Sequence, residues 1–233
     1  MKYVFFENKE NASEFCKRKI ISADRQIVLA GAGINLERYK MQPYPKHTRI
    51  HFLYLGRIMK EKGIDELFYA VRHLKKENEN FVLDLVGFFE DEYKEQVKEL
   101  EKQVETLSRK EIIKKSQSDP RPFYIEADCV VLPSYHEGMS NVILEAAATG
   151  RPVITSNIPG CRESVENGKS GLLVEVKNKE MLYDAMKEML HCSREEREQM
   201  GQAGREKMER EFRKEVVVEK TVQSLREDEK RDF

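Results

Sequence analysis

The sequence has almost no excess charge of either sign: 41 Lys and Arg stand against 42 Asp and Glu, a formal net charge of -1. With both signs interspersed, that balance rules out a generally basic nucleic-acid binder. No apolar run approaches the ~20 residues needed to cross a bilayer, so no transmembrane segment is expected. The start, Met1-Lys2-Tyr3-Val4-Phe5-Phe6-Glu7-Asn8, is too short and too soon charged for a secretory leader, and a cytoplasmic protein is expected. Cysteine is sparse. Cys16, Cys129, Cys161 and Cys192 lie far apart, with no C-x-x-C pair and no histidine at ligand spacing. Neither a disulfide framework nor a zinc site follows, and buried or incidental thiols are expected. The five histidines are equally scattered, and no internal repeat is visible.

What is present is a chain of 233 residues, 39% hydrophobic and 36% charged, enough for one large domain or two small ones at roughly 100–200 residues each. Short β-rich runs alternate with helical stretches, the pattern of a parallel sheet flanked by helices. Strands are expected at 50–55, 81–86, 128–132, 152–155 and 171–174. Their nearly continuous apolar character is that of strands buried on both faces. Ile64, Leu67, Phe68, Val71 and Leu74 follow the i, i+3, i+4, i+7 spacing of an amphipathic helix over 64–77. A short helix is expected over 140–149, with Ser140 as N-cap and Gly150 just past its end. From Lys179 onward the chain is mostly helical and charged. Residues 1–35 read as one βαβ unit, too small to bury its own faces, and its apolar strand Val4-Phe5-Phe6 is expected to be poorly covered. Residues 101–119 look charged and helix-favouring, and no buried strand is found there.

The richest stretch is Pro133-Ser134-Tyr135-His136-Glu137-Gly138-Met139-Ser140-Asn141-Val142-Ile143-Leu144-Glu145. It joins the end of a buried strand to the start of a helix, the place where open α/β sheets bind ligands. Free backbone N–H groups of Met139, Ser140 and Asn141 would point into that crevice at the positive end of a helix dipole, an anion site suited to phosphate. Gly138 would let the backbone approach the ligand. Glu145, a turn into the helix, could accept two hydrogen bonds from a vicinal diol such as that of ribose. A second stretch, Gly56-Arg57-Ile58-Met59-Lys60-Glu61-Lys62-Gly63, follows the strand at 50–55. Glu90-Asp91-Glu92 reads as the start of an exposed helix and not as a metal-binding motif. Arg162 and Glu163 read as a surface pair.

The block from Ser134 to Ile154, with Glu137 and Glu145 separated by seven residues, resembles the E-x7-E region of family 4 glycosyltransferases of the GT-B fold. It looks most like the bacterial members that build capsular polysaccharide, O-antigen and other lipid-linked glycans. The resemblance runs from about residue 1 to 225, with a gap at 101–119. It implies a Rossmann-like, doubly wound α/β sheet of about five strands, one half of a GT-B enzyme. The expected division is a remnant of the N-terminal Rossmann-like domain and crossing at 1–35, a C-terminal nucleotide-sugar-binding domain at 36–212, and a terminal helix and tail at 213–233. By resemblance, Arg57 and Lys62 hold the donor diphosphate together with Gly138, Met139, Ser140 and Asn141. Glu145 binds the donor ribose, and Glu137 is the catalytic residue beside the transferred sugar. His136 would only orient the loop.

The implied reaction transfers a sugar from a nucleotide sugar, UDP-sugars being the expected donors, to a hydroxyl of a glycan or lipid-linked acceptor. It retains anomeric configuration and needs neither metal nor other cofactor. An acceptor domain would come from a separate chain, and the protein would sit in the cytoplasm or peripherally at the inner membrane face. A non-catalytic nucleotide-sugar-binding module, or a truncated inactive remnant, is the alternative that stays open.

Overall fold

The computed structural model describes residues 3–29, 31–77, 80–88, 90–103, 107–111 and 119–229. It begins with a small βαβ unit. Strand β1 (Val4–Phe6) and strand β2 (Gln26–Val28) pair in parallel around helix α1 (Lys9–Lys17). This two-stranded sheet is separate from the main one. Phe6 and Ile27 are buried, while Phe5 remains 47% exposed and Phe15 and Val28 are similarly open. That is the poor cover expected of so small a unit.

The main sheet is built from β3 (Ile50–Leu55), followed by α2 (Ile64–Lys76), β4 (Phe81–Gly87), α3 (Asp91–Gln103) and β5 (Leu107–Glu111). The second half runs α4 (Arg121–Glu126), β6 (Cys129–Leu132), α5 (Asn141–Ala148), β7 (Val153–Ser156) and β8 (Gly171–Val174). Helices α6 (Lys179–His191), α7 (Arg194–Lys207) and α8 (Lys214–Glu229) complete the chain, with a π-helical turn at Met208–Phe212 before α8. All six strands are parallel, in the order β5-β4-β3-β6-β7-β8. The α/β fold expected from the alternating runs is therefore present. Every residue of β4, β6 and β7 is buried, which is why their sequences show no alternation. The apolar stripe of α2 is buried in full, from Ile64 to Leu74.

The sixth strand corrects the expectation for residues 101–119. Helix α3 ends at Gln103, and β5 pairs with β4 from Leu83↔Leu107 to Gly87↔Glu111. It lies at the sheet edge, where one side stays unpaired and charged residues such as Arg109 and Lys110 are tolerated. A search for continuous apolar runs misses such a strand. Residues 104–106 and 112–118, the rest of that stretch, lie outside the described residues.

Smaller expectations fare as follows. Asp91 opens α3 on its exposed surface and pairs with Lys94 at 2.9 Å. Cys129 and Cys161 are buried free thiols, and Cys16 and Cys192 are half-buried free thiols. Arg162 and Glu163 do not pair with each other. Arg162 faces Glu10 at 4.0 Å, and Glu163 accepts from the Gly160 N–H at 2.7 Å. Among the described residues no helix is long and apolar enough to cross a membrane, and no cluster of His, Cys, Asp and Glu could hold a metal ion.

One buried cation ties the periphery to the sheet. Arg151, at the entry to β7, is fully buried and donates to the carbonyls of Tyr124 (2.9 Å), Pro43 (2.9 Å) and Ile125 (3.0 Å), and more weakly to Gln42 and Gly150. Burial pushes its pKa down to about 10. These bonds hold α4 and the segment before β3 against the turn after α5. Replacing it by Arg151→Met would strand several buried carbonyls, each costing about 1–3 kcal/mol when left without a donor. The expected result is a urea midpoint lowered by the equivalent of ~3 kcal/mol; an unchanged midpoint would show the bonds to be dispensable.

Candidate donor-binding site

The strand order reverses between β3 and β6. From β3 the chain builds outward to β4 and β5; from β6 it builds the other way to β7 and β8. The loops leaving β3 and β6 therefore diverge above the same edge and leave a crevice there. The loop after β3 is anchored by Ile58, which is fully buried and donates its N–H to the Phe88 carbonyl at 2.7 Å. The Tyr54 hydroxyl donates to the Arg57 carbonyl at 2.5 Å. A 3-10 turn at Lys60–Lys62 leads to Gly63, whose φ of 71° begins α2. A Cβ on Gly63 would run into the Pro133 carbonyl of the loop after β6, so only glycine allows the two loops to close on each other. Gly87, at the end of β4, is similar: its φ is 152° and a Cβ would strike the Gly56 carbonyl.

Once in contact, the loops are bonded together. The Tyr135 N–H donates to the Glu61 carbonyl at 2.8 Å, and its hydroxyl donates to the Glu66 carboxylate at 2.9 Å. Lys62 Nζ lies 2.6 Å from Glu137 Oε1, with both side chains largely buried. At the start of α5 the Ile143 and Leu144 N–H groups both donate to the Ser140 carbonyl. The Asn141 and Val142 N–H groups have no acceptor among the described residues. They are the orphan donors of a helix N-terminus.

A cavity of about 730 Å³ occupies the crevice, and its lining includes Arg57, Lys62, Asn141 and Glu145. Glu137 meets it through Lys62. Glu145 accepts from the Tyr124 hydroxyl at 2.8 Å. Burial raises its pKa, and the neighbouring tyrosine hydroxyls oppose that rise in part.

Of the residues singled out in the sequence, the structure thus gathers Arg57, Lys62, Glu137, Asn141 and Glu145. The other three lie elsewhere. Gly138 is exposed, and a Cβ there would meet the Glu7 carboxylate, not a ligand in the crevice. Met139 lies against Gly31 and accepts from Ser164 Oγ at 3.5 Å. Ser140 sits at the N-cap position without a capping side-chain bond, and its N–H is already donated to the Gly160 carbonyl at 3.1 Å. Of the three amides expected there, only that of Ser140 is taken; those of Met139 and Asn141, like that of Val142, have no acceptor among the described residues. His136 is exposed, and the contacts that orient this loop are made by Tyr135. Sequence reasoning missed Tyr124, which bonds to Glu145, and Tyr39 and Lys214, which line the cavity. The spacing of these residues carries no sign of their placement; the available clue is that a buried tyrosine hydroxyl needs a partner.

A six-stranded parallel sheet in this order, with the cavity at its reversal point, defines a Rossmann-like unit of the GT-B fold. The glycosyl transferases group 1 family matches residues 37–207, and the chain belongs to it. It is 29% identical over 223 residues to the capsular polysaccharide biosynthesis glycosyltransferase CapM of Staphylococcus aureus, covering 89% of this chain and 58% of that protein. It is 30% identical over 187 residues to a Campylobacter jejuni N,N'-diacetylbacillosaminyl-diphospho-undecaprenol alpha-1,3-N-acetylgalactosaminyltransferase, covering 74% of this chain and 47% of that one. The chain thus spans about half the length of these relatives. In fold it is similar to the Anabaena protein HepE in complex with UDP, with a TM-score of 0.81 at 17% identity over 97% of this chain and 64% of the other. Sucrose-phosphate synthase from Thermosynechococcus elongatus gives 0.79 at 23% identity over 96% and 57%.

Tyr124 gives a test of the Glu145 environment. Removing the Tyr124 hydroxyl takes away a bond that favours the ionised carboxyl, so the Glu145 pKa must rise further in Tyr124→Phe. Carbon-detected NMR titration should find Glu145 above the ordinary glutamate value, and higher again in the variant. A carboxyl titrating at or below the ordinary value would contradict the burial described here.

Proposed function

We propose that the chain is the C-terminal, donor-binding half of a retaining family 4 glycosyltransferase of the hexosyltransferase type, acting in polysaccharide or lipid-linked glycan synthesis. The observation that carries this reading is the convergence of Arg57, Lys62, Asn141 with its unbonded amide, and Glu145 on one cavity at the sheet's reversal point. In this reading the donor diphosphate lies between Arg57, Lys62 and the start of α5. The ribose diol hydrogen-bonds to Glu145, and the transferred sugar lies beside Glu137. A departing nucleoside diphosphate gathers negative charge, and two fixed cations with helix-terminal amides stabilise it. That is the task a metal performs in other transferases, so the reading is metal-independent. UDP-sugars are the proposed donors, and the likeness in fold to the UDP-bound HepE supports that choice. The proposed acceptor is a hydroxyl of a glycan or lipid-linked molecule, in keeping with the names of the relatives. The enzyme works in the cytoplasm or at the inner membrane face. No observation favours the non-catalytic alternative, whereas family membership and relatives with transferase names support transfer.

Lys62 is held by Glu137, so a diphosphate that engages Lys62 must draw the ammonium away from a carboxylate. Calorimetric titration with UDP should show binding that weakens about tenfold in Arg57→Ala and in Lys62→Ala, the loss expected for one charge-assisted hydrogen bond. Glu137→Gln should bind UDP several-fold more tightly, because Lys62 is released. Unchanged affinity in both cation variants would remove the phosphate assignment.

The pH dependence follows from Glu145. Only the ionised carboxylate accepts both hydroxyls of a diol. Its pKa is raised by burial, so UDP affinity should fall on acidification at a pH above that at which an ordinary glutamate protonates. In Glu145→Gln that acid limb should disappear. Its persistence would place the titrating group elsewhere.

A further inference from the structure

The cavity at the reversal point is also lined by a residue that neither loop carries: Lys214, the first residue of α8. It arrives there by a crossing of two distant chain segments. The π-helical turn at Met208–Phe212 is followed by Arg213 in an extended conformation, with φ -56° and ψ 133°. Arg213 can then form a parallel bridge with Ile34. The Ile34 N–H donates to the Phe212 carbonyl at 2.7 Å, and the Lys214 N–H donates to the Ile34 carbonyl at 3.0 Å. Gly33, with φ of 70°, makes room for this approach. A Cβ on it would lie 2.9 Å from the Lys214 Cα, too close for any other residue. Ile34, Phe212 and Val217 are buried on either side. The backbone that carries Lys214 is therefore fixed, while its side chain is exposed.

The charged residues among the described lining are Arg38, Arg57, Lys62, Lys214 and Glu145, and they differ in what already opposes them. Lys62 is paired with Glu137. Arg38 stands in the field of two carboxylates and favours the ionised forms of Glu145 and Asp119. Arg57 and Lys214 have neither an ion pair nor a side-chain hydrogen bond among the described residues. Their two uncompensated charges match the two negative charges of a nucleotide sugar's diphosphate. Lysine meets phosphate as a mobile point charge. Lys62 has to leave a carboxylate before it can do so, and Lys214 has nothing to leave.

We infer that Lys214 is a third side chain holding the donor diphosphate, reaching it from the crossing while Arg57 and Lys62 reach it from the loop after β3. The inference rests on this cavity being the donor site. One consequence is mechanical. The bound anion is gripped on one side by α8 and on the other by the main sheet's loops, so it fastens the crossing to the sheet. The hydrogen-bonded amides of residues 34 and 214 then open less often.

The test is calorimetric titration with UDP of the unsubstituted chain and of Lys214→Arg, Lys214→Met and Lys214→Glu, with Arg57→Ala alongside. Affinity should follow charge: close to the original in the Arg variant, about tenfold weaker in the Met variant, the loss of one charge-assisted bond, and weaker again in the Glu variant. Urea midpoints should not move, because the side chain is exposed. UDP at saturation should slow hydrogen exchange of the amides at 34 and 214 in the unsubstituted chain and not in Lys214→Met. Undiminished affinity in the Met and Glu variants, with Arg57→Ala weakened, would overturn the role of Lys214 and leave the donor reading standing. Equal losses in all three Lys214 variants, or lowered urea midpoints, would make the residue a structural one and overturn the inference. Equal slowing of exchange in both proteins would deny that the grip runs through Lys214. No binding of UDP to the unsubstituted chain would remove the donor reading, and this inference with it.

Discussion

The approach of the β3 and β6 loops is the constraint on which the rest of the site depends. It needs a residue without a side chain at position 63, since any Cβ would overlap the Pro133 carbonyl. With the loops in contact, Tyr135 bonds back to Glu61 and Glu66, and Lys62 reaches Glu137. Each of these bonds joins residues far apart in sequence, so none could form if the sheet order were different. The reversal between β3 and β6 places the two loops side by side, and the glycine lets them touch.

This geometry also explains how a small pocket holds several charges near one another. Lys62 and Glu137 are largely buried, and each compensates the other; removing one partner would leave an uncompensated charge. Glu145 is stabilised differently, by the neutral Tyr124 hydroxyl, which keeps it in place without cancelling its charge. Arg57 is exposed and has no ion-pair partner among the described residues, and Arg38 and Lys214 also line the cavity. The cavity thus presents several cations, one of them paired with Glu137, and a carboxylate positioned for hydroxyl groups. That combination suits a nucleoside diphosphate better than a simple anion.

Much of this was legible in the sequence, and the exceptions have physical reasons. Strands β3, β4, β6, β7 and β8 lie inside the sheet or are covered by helices, and burial wrote itself into their apolar runs. Strand β5 lies at the edge, and its Leu-Ser-Arg-Lys-Glu sequence carries no such mark. Arg57, Lys62, Glu137 and Glu145 stand out in the sequence by motif spacing, and the fold brings them to one crevice. The expectation that Ser140 offers a free amide failed because Gly160, twenty residues away, had already taken it. The role of Tyr124 is set by tertiary packing alone, and Glu7 reaches Gly138 from a distant part of the chain. Contacts of this range leave no local pattern.

The central claim is that the cavity at the reversal point receives a nucleoside diphosphate. A crystal structure of the chain with UDP tests it most directly. The account predicts phosphate oxygens within hydrogen-bonding distance of Arg57, Lys62 and the Asn141 amide, with Lys62 turned from Glu137 and the ribose diol on Glu145. UDP bound elsewhere, or bound with Lys62 still paired to Glu137 and no ribose contact to Glu145, would contradict it.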